Sequence, residues 1–395
     1  MRIVVAPDKF KDCLSASAVA GSIARGILRA DSSITVDQCP LADGGEGTVD
    51  ALVAATGGKI FTRRVTGPLP RMKVDAPIGL LGDGFTAVVE MASASGLWLL
   101  KPEQRDPTRT TTYGTGELLR EAAALGAKRI ILGIGGSATT DGGVGCAQAW
   151  GCAFTLNSGP NSYDQGARRL TGGDLLNLNR VVTPLPLETH GIEFTVACDV
   201  GNPLLGPDGA APIFGPQKGA TPEMVDQLEA GLARLVEKTG RQDLADRPGA
   251  GAAGGLGFGM MAFFGATMRP GIQIVLDATR LRDRLQGADL CITGEGRLDT
   301  QSLSGKTAIG VAQLCKELGV PCVALAGAVG DGLERAPEHG LTAHFSITNG
   351  PMSLETALTR APDLLESAAE NVVRLLLSNR ERADRSHGER LPNQA

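Results

Sequence analysis

Glycine punctuates this chain. Its 54 glycines among 395 residues are about twice the usual share of ~7%. They lie in short loops between apolar runs rather than in one tract, so the chain needs many tight turns where backbone bends sharply or approaches a neighbour. The apolar runs are short. Met1–Ala6, Ile34–Cys39, Arg129–Leu132, Phe194–Cys198, Asp289–Ile292, Cys322–Ala326 and His344–Ile347 each read as a strand, and most lead into a segment of helical period. Strand, glycine loop and helix in alternation predict an α/β fold with a parallel sheet.

Two such units at the start and three after Asp289 supply five strands. They predict a flavodoxin-like parallel sheet of order 2-1-3-4-5, a discontinuous domain of residues 1–64 and 286–377. Between them the texture changes. Thr62–Val65, Met72–Ile78 and Phe85–Glu90 are separated by Gly/Pro turns and read as hairpins, so residues 65–285 are expected to form an inserted second α/β domain. Residues 378–395 are polar with mixed charge and are expected to fray. In that strand order the topological switch lies between the first strand and the one at Asp289. The loops Pro7–Ser15 and Gly294–Lys306 should then face each other, with Asp43–Gly47 beside them.

Charge and composition exclude several functions. A net charge of −5 offers no electrostatic footprint for nucleic acid or an anionic membrane, and two Trp with two Tyr give no base-stacking platform. No apolar run approaches the length of a transmembrane helix, and with a strand at its opening the sequence is expected to carry no signal peptide. The eight cysteines are scattered, with no CxxC pair and no Cys/His cluster at zinc spacing. They read as buried free thiols of a cytoplasmic protein. The four dispersed histidines give no catalytic candidate, and nothing in the sequence fixes the oligomeric state.

Three loops carry chemistry. Asp289–Lys306 reads as a short strand, then a polar loop holding Glu295, Arg297 and Asp299, closing with Gly305-Lys306-Thr307 at a helix start. Carboxylates and a lysine at the rim of a parallel sheet suit a metal-bound phosphoryl group. The stretch is no P-loop, because Thr300 stands where that pattern wants glycine. In Leu41–Thr48, glycines bracket Asp43 and Glu46 at a helix start, which suits Mg²⁺ or a hydroxyl proton; capping and dipole compensation are the plainer use. Gly133–Gly143 follows a strand and opens a helix, an arrangement that cradles phosphate on backbone N–H groups. It partly matches a dinucleotide fingerprint, yet Ser137, Thr139, Thr140 and Asp141 are more polar than such a cradle needs. Asp199 ends a strand, a good ligand position. Lys218 fits a solvated surface equally well, and Gly249-x-Gly251-x-x-Gly254 reads as close helix packing.

These motifs together resemble the bacterial type I glycerate kinases. The resemblance rests on Ala6-Pro-Asp-Lys-Phe-Lys, Ala42–Thr48, Gly135–Gly143, Cys198–Pro203, Phe214–Gly219, Gly249–Gly255 and Thr293–Gln301 with Gly305-Lys306, spanning about residues 1–377. It implies ATP- and Mg²⁺-dependent phosphorylation of D-glycerate, usually at the 2-hydroxyl, in glyoxylate or sugar-acid breakdown. It also implies an insert resembling the restriction-endonuclease fold. Phosphoryl transfer needs positioning and charge neutralisation, so Lys9 and Lys306 are expected to meet anionic groups of substrate and ATP. The Gly135, Gly136 and Ser137 backbone would hold a phosphate. Asp43, Glu46 and Asp199 are candidates for Mg²⁺ or for orienting the hydroxyl, with Asp43 or Asp199 as base, and Glu295 and Asp299 would complete the cleft. Two other readings stay open: a nucleotide-dependent dehydrogenase using the Gly133 loop, and a sugar-acid binding protein without catalysis.

Overall fold

The computed structural model describes residues 1–157, 168–183, 185–300, 302–304 and 306–388. Gln301 and Gly305 of the motif stretch, and residues 389–395 of the expected tail, lie outside them. The chain divides into two compact units, Met1–Asp43 with Leu276–Ala395, and Gly44–Val275. The division falls at Asp43 rather than 64 because the strand Lys59–Thr66 pairs antiparallel with Lys73–Leu80, in the sheet of the second unit. At the other end it falls before Leu276 rather than at 285.

The first unit is built on a five-stranded sheet in which every pair is parallel. Across it run Ala343–Ser346, Cys322–Val329, Leu290–Leu298, Arg2–Val5 and Thr35–Gln38, which in chain order is 2-1-3-4-5. The helix Ala16–Ala30 starts at Ser15, whose hydroxyl accepts the Ala18 N–H. It buries Val19, Ile23 and Ile27 against the strands and against the closing helix Leu354–Gly388. Gly26 permits that contact: a Cβ there would sit 2.1 Å from the Glu366 carbonyl oxygen. Arg25 and Arg29 then pair with Glu366 at the rim. The closing helix continues to Gly388, past residue 378 where fraying was expected.

The second unit has a six-stranded mixed sheet: Thr267–Arg269, Glu193–Ala197, Arg129–Gly133, Thr86–Glu90, Lys73–Leu80 and Lys59–Thr66. The last three strands form the expected antiparallel meander and the others pair parallel. Phe154–Leu156 and Leu178–Val181 make a separate two-stranded ribbon. A continuous apolar core runs under this sheet, from Val89 and Leu132 to Leu232, Phe258 and Phe263. The glycines at 251 and 254 serve close packing, since a Cβ would lie 2.1 Å from the Pro203 carbonyl oxygen and 2.0 Å from that of Thr139.

Candidate active site

The strand at the centre of the first sheet is longer than its sequence suggests. Leu290–Leu298 stays paired with Cys322–Val329 along its length, so Glu295 and Arg297 sit on a strand, not in a polar loop. Small residues make this possible. Gly294 and Gly327 bring the strands so close that a Cβ would lie 2.3 Å from the Leu325 oxygen and 2.6 Å from the Gly296 oxygen. Helical and strand periodicity cannot report such a contact, because glycine carries no hydrophobic signal.

On the other side of Glu295, the first strand continues its ladder beyond Val5. The Ala6 N–H donates to the Ile292 oxygen and the Asp8 N–H to the Gly294 oxygen, both at 2.8 Å. Asp8 is thereby fixed beside Glu295 at the carboxyl ends of two adjacent parallel strands. From there the chain departs to opposite sides of the sheet, which is the switch point where α/β sheets gather ligands. The Thr307 hydroxyl, opening the helix Thr307–Leu318, donates to the Asp8 carboxylate at 2.5 Å.

A cavity of about 410 Å³ opens at this point. Its polar wall holds Asp8, Lys9, Asp43, Glu295, Arg297 and Lys306, and its apolar wall includes Phe10, Ile347, Leu354, Leu358 and Leu364. Lys9, Asp43, Glu295 and Lys306 were expected here from sequence; Asp8 was not singled out. Its signal was present, as the first acid after a strand in Ala6-Pro-Asp-Lys, but nothing local distinguished it from a capping acid. Asp299 is not on the cavity wall: its carboxylate accepts the Arg297 Nε–H at 2.9 Å.

Burial and like charge perturb the acids. Desolvation, with Asp43 adding repulsion, outweighs the Thr307 and backbone hydrogen bonds and pushes Asp8 up to about 6. Glu295 is pushed up to about 7, again chiefly by burial, with Asp8 and Asp299 adding to it and Ser302 and Lys306 opposing it. Glu295 Oε1 is buried and has no hydrogen-bond partner among the described residues. A group like this is normally satisfied by a proton, a cation or a ligand donor.

This gives a pH prediction. Glu295 has a folded pKa above its ordinary 4.5, so it contributes stability below about pH 4.5 that is lost as pH rises through about 7. The contribution is on the order of 3 kcal/mol. Glu295→Gln should therefore show a smaller fall in Tm than the parent between about pH 5 and about pH 8. Parallel Tm-versus-pH curves would mean that Glu295 titrates at its ordinary value.

The remaining candidates belong to the second unit. Glu46 and Asp199 are exposed, and Asp199 accepts the Gly271 N–H at 2.8 Å. Gly135 and Gly136 are exposed, with Gly136 at φ +72°, while Ser137 is buried. The loop is tied down by the Leu97 N–H to the Gly136 oxygen and the Ala138 N–H to the Ser95 oxygen, each 2.9 Å. Beneath it Asp141 is wholly buried and accepts from the Thr112 N–H and hydroxyl and from the Gly143 and Gly145 N–H groups. It is a scaffold for the turn and has no open face for a ligand. Lys218 is not on a solvated surface but 1% exposed, and its Nζ donates to the Thr139 oxygen at 2.6 Å. Burial pushes it down to about 7, with Asp141 opposing the shift.

Two adjacent strands of a parallel sheet that end in acids and lysines around one cavity give an α/β fold with a ligand-sized site at its switch point. The chain belongs to the glycerate kinase family, which it matches over residues 3–377. It is 46% identical to a glycerate kinase of Haemophilus influenzae over 95% of this chain and 99% of that one. It is 44% identical to the glycerate 2-kinase of Escherichia coli K12, over 95% and 98%. A crystal structure from Salmonella typhimurium LT2 assigned as glycerate kinase 2 matches with a TM-score of 0.86 at 44% identity, covering 96% of this chain and 99% of that one.

Proposed function

We propose that this protein transfers the terminal phosphoryl group of ATP to D-glycerate, giving 2-phosphoglycerate. The observation that carries the reading is the cavity of the first unit, where acids with raised pKa values and two lysines share one wall. Glycerate is much smaller than a cavity of about 410 Å³, which lies in the usual range for a larger ligand. The apolar wall at Phe10, Ile347 and Leu358 suits a nucleotide base, and the polar wall suits phosphates and the sugar acid. Lys9 and Lys306 neutralise anionic oxygens. Asp8, ionised above about pH 6, is placed to accept the proton of the attacking hydroxyl, with Thr307 fixing its carboxylate.

Mg²⁺ belongs to the same proposal. Asp8, Asp43 and the unpartnered oxygen of Glu295 are hard oxygen donors on one wall, the ligand type Mg²⁺ takes. When bound, the ion neutralises charge on the phosphate oxygens. Within the second unit, Glu46 and Asp199 are separate Mg²⁺ candidates, and the Gly135–Ser137 turn, exposed at its two glycines, is a candidate phosphate cradle. The split into a flavodoxin-like domain and a restriction-endonuclease-like insert is part of this reading, supported by the all-parallel order of the first sheet. A cytoplasmic setting fits the eight free thiols. No described helix is long and apolar enough to cross a membrane.

The test is ³¹P NMR of the protein with ATP, Mg²⁺ and D-glycerate. A new phosphomonoester signal split by a single proton identifies 2-phosphoglycerate, and splitting by a methylene pair identifies the 3-isomer. Unchanged ATP would refute the kinase reading.

A further inference from the structure

Cys291, Cys315 and Cys322 are 24 or more positions from one another or on different elements, yet the first unit brings them together. Cys291 and Cys322 are direct partners on adjacent parallel strands. Cys315 comes down onto them from the helix Thr307–Leu318. All three are 0% exposed, and their sulfurs lie within 4.8 Å of one another. No His, Asp, Glu or fourth Cys joins them among the described residues. The group is thus one ligand short of a structural tetrahedral zinc site.

We propose that these three thiols form a buried site for one trivalent arsenic atom, taken up from arsenite. Three sulfurs without a fourth ligand match a three-coordinate centre. Arsenite is neutral at pH 7, and its reaction As(OH)₃ + 3 RSH → As(SR)₃ + 3 H₂O leaves a neutral product. Three S–As bonds form, three As–OH and three S–H bonds break, and no electron changes hands. Neutrality matters here, since three thiolates around a divalent cation would leave net negative charge in a dry core. With bonds of roughly 2.3 Å, the length of a typical metal–thiolate bond, the sulfurs must come within ~4 Å. That is a contraction of at most about 1 Å from the observed spacing.

The experiment adds sodium arsenite to the reduced full-length protein. Native mass spectrometry should show one arsenic per chain with loss of three hydrogens, and thiol titration in denaturant should find three fewer of the eight cysteines. Tm should rise, because the cross-link forms on the folded state. Cys315→Ser and Cys291→Ser should lose the adduct and the Tm rise, whereas Cys13→Ser and Cys198→Ser, at half-buried positions, should keep both. An unmodified parent, or an adduct retained in both Cys315→Ser and Cys291→Ser, overturns the proposal. The thiol count on the parent decides the matter even if a variant does not fold.

Discussion

Replacing Asp8 by Asn should lower kcat for glycerate phosphorylation at least ~100-fold, the usual scale for losing a general base. The substitution keeps the shape of the side chain and can still meet the Thr307 hydroxyl, so the fold should survive. The acid limb of the kcat–pH profile should also disappear, since the group titrating near 6 would be gone. KM for glycerate should change much less than kcat if Asp8 acts on the proton in flight rather than on binding. Near-normal turnover by folded Asp8→Asn would move the role to Asp43 or Asp199, and the corresponding Asn variants would then separate those two.

The largest stability effect is expected at Lys218. Lys218→Ala removes a fully buried side chain, frees the Thr139 carbonyl oxygen and leaves buried Asp141 without its neighbouring cation. Breaking a buried charged contact from one side costs ~3–5 kcal/mol. For a unit of this size that corresponds to a fall in Tm of roughly 10 °C. Lys218→Met refills most of the volume without restoring the donor, so it should recover only part of the loss. A Tm within about 2 °C of the parent for the alanine variant would show that water replaces the ammonium group.

Local pattern carried much of the architecture. Apolar runs of strand length, separated by loops, placed the five strands of the first sheet. The hairpins at 62–90 were legible from their turns. What escaped was any feature set by contact at a distance. Glu295 was assigned to a loop because glycines flank it, although Gly294, with Gly327 on the neighbouring strand, lets the two strands meet. Asp8 looked like an ordinary acid after a strand until the neighbouring ladder set it beside Glu295. Lys218 fitted a solvated surface equally well in sequence, because a lysine seldom loses its water; the Thr139 carbonyl and the nearby Asp141 carboxylate compensate its burial.

The sequence by itself determined the α/β class, the strands that belong together and the acids and lysines at their ends. Those are consequences of local period and turn chemistry, which each segment carries in its own residues. The tertiary structure decided which carboxylates are held partly protonated, which cation is desolvated and which three sulfurs share a pocket. Each of these depends on dielectric and distance between residues far apart in the chain, and neither quantity exists until the backbone has closed around them.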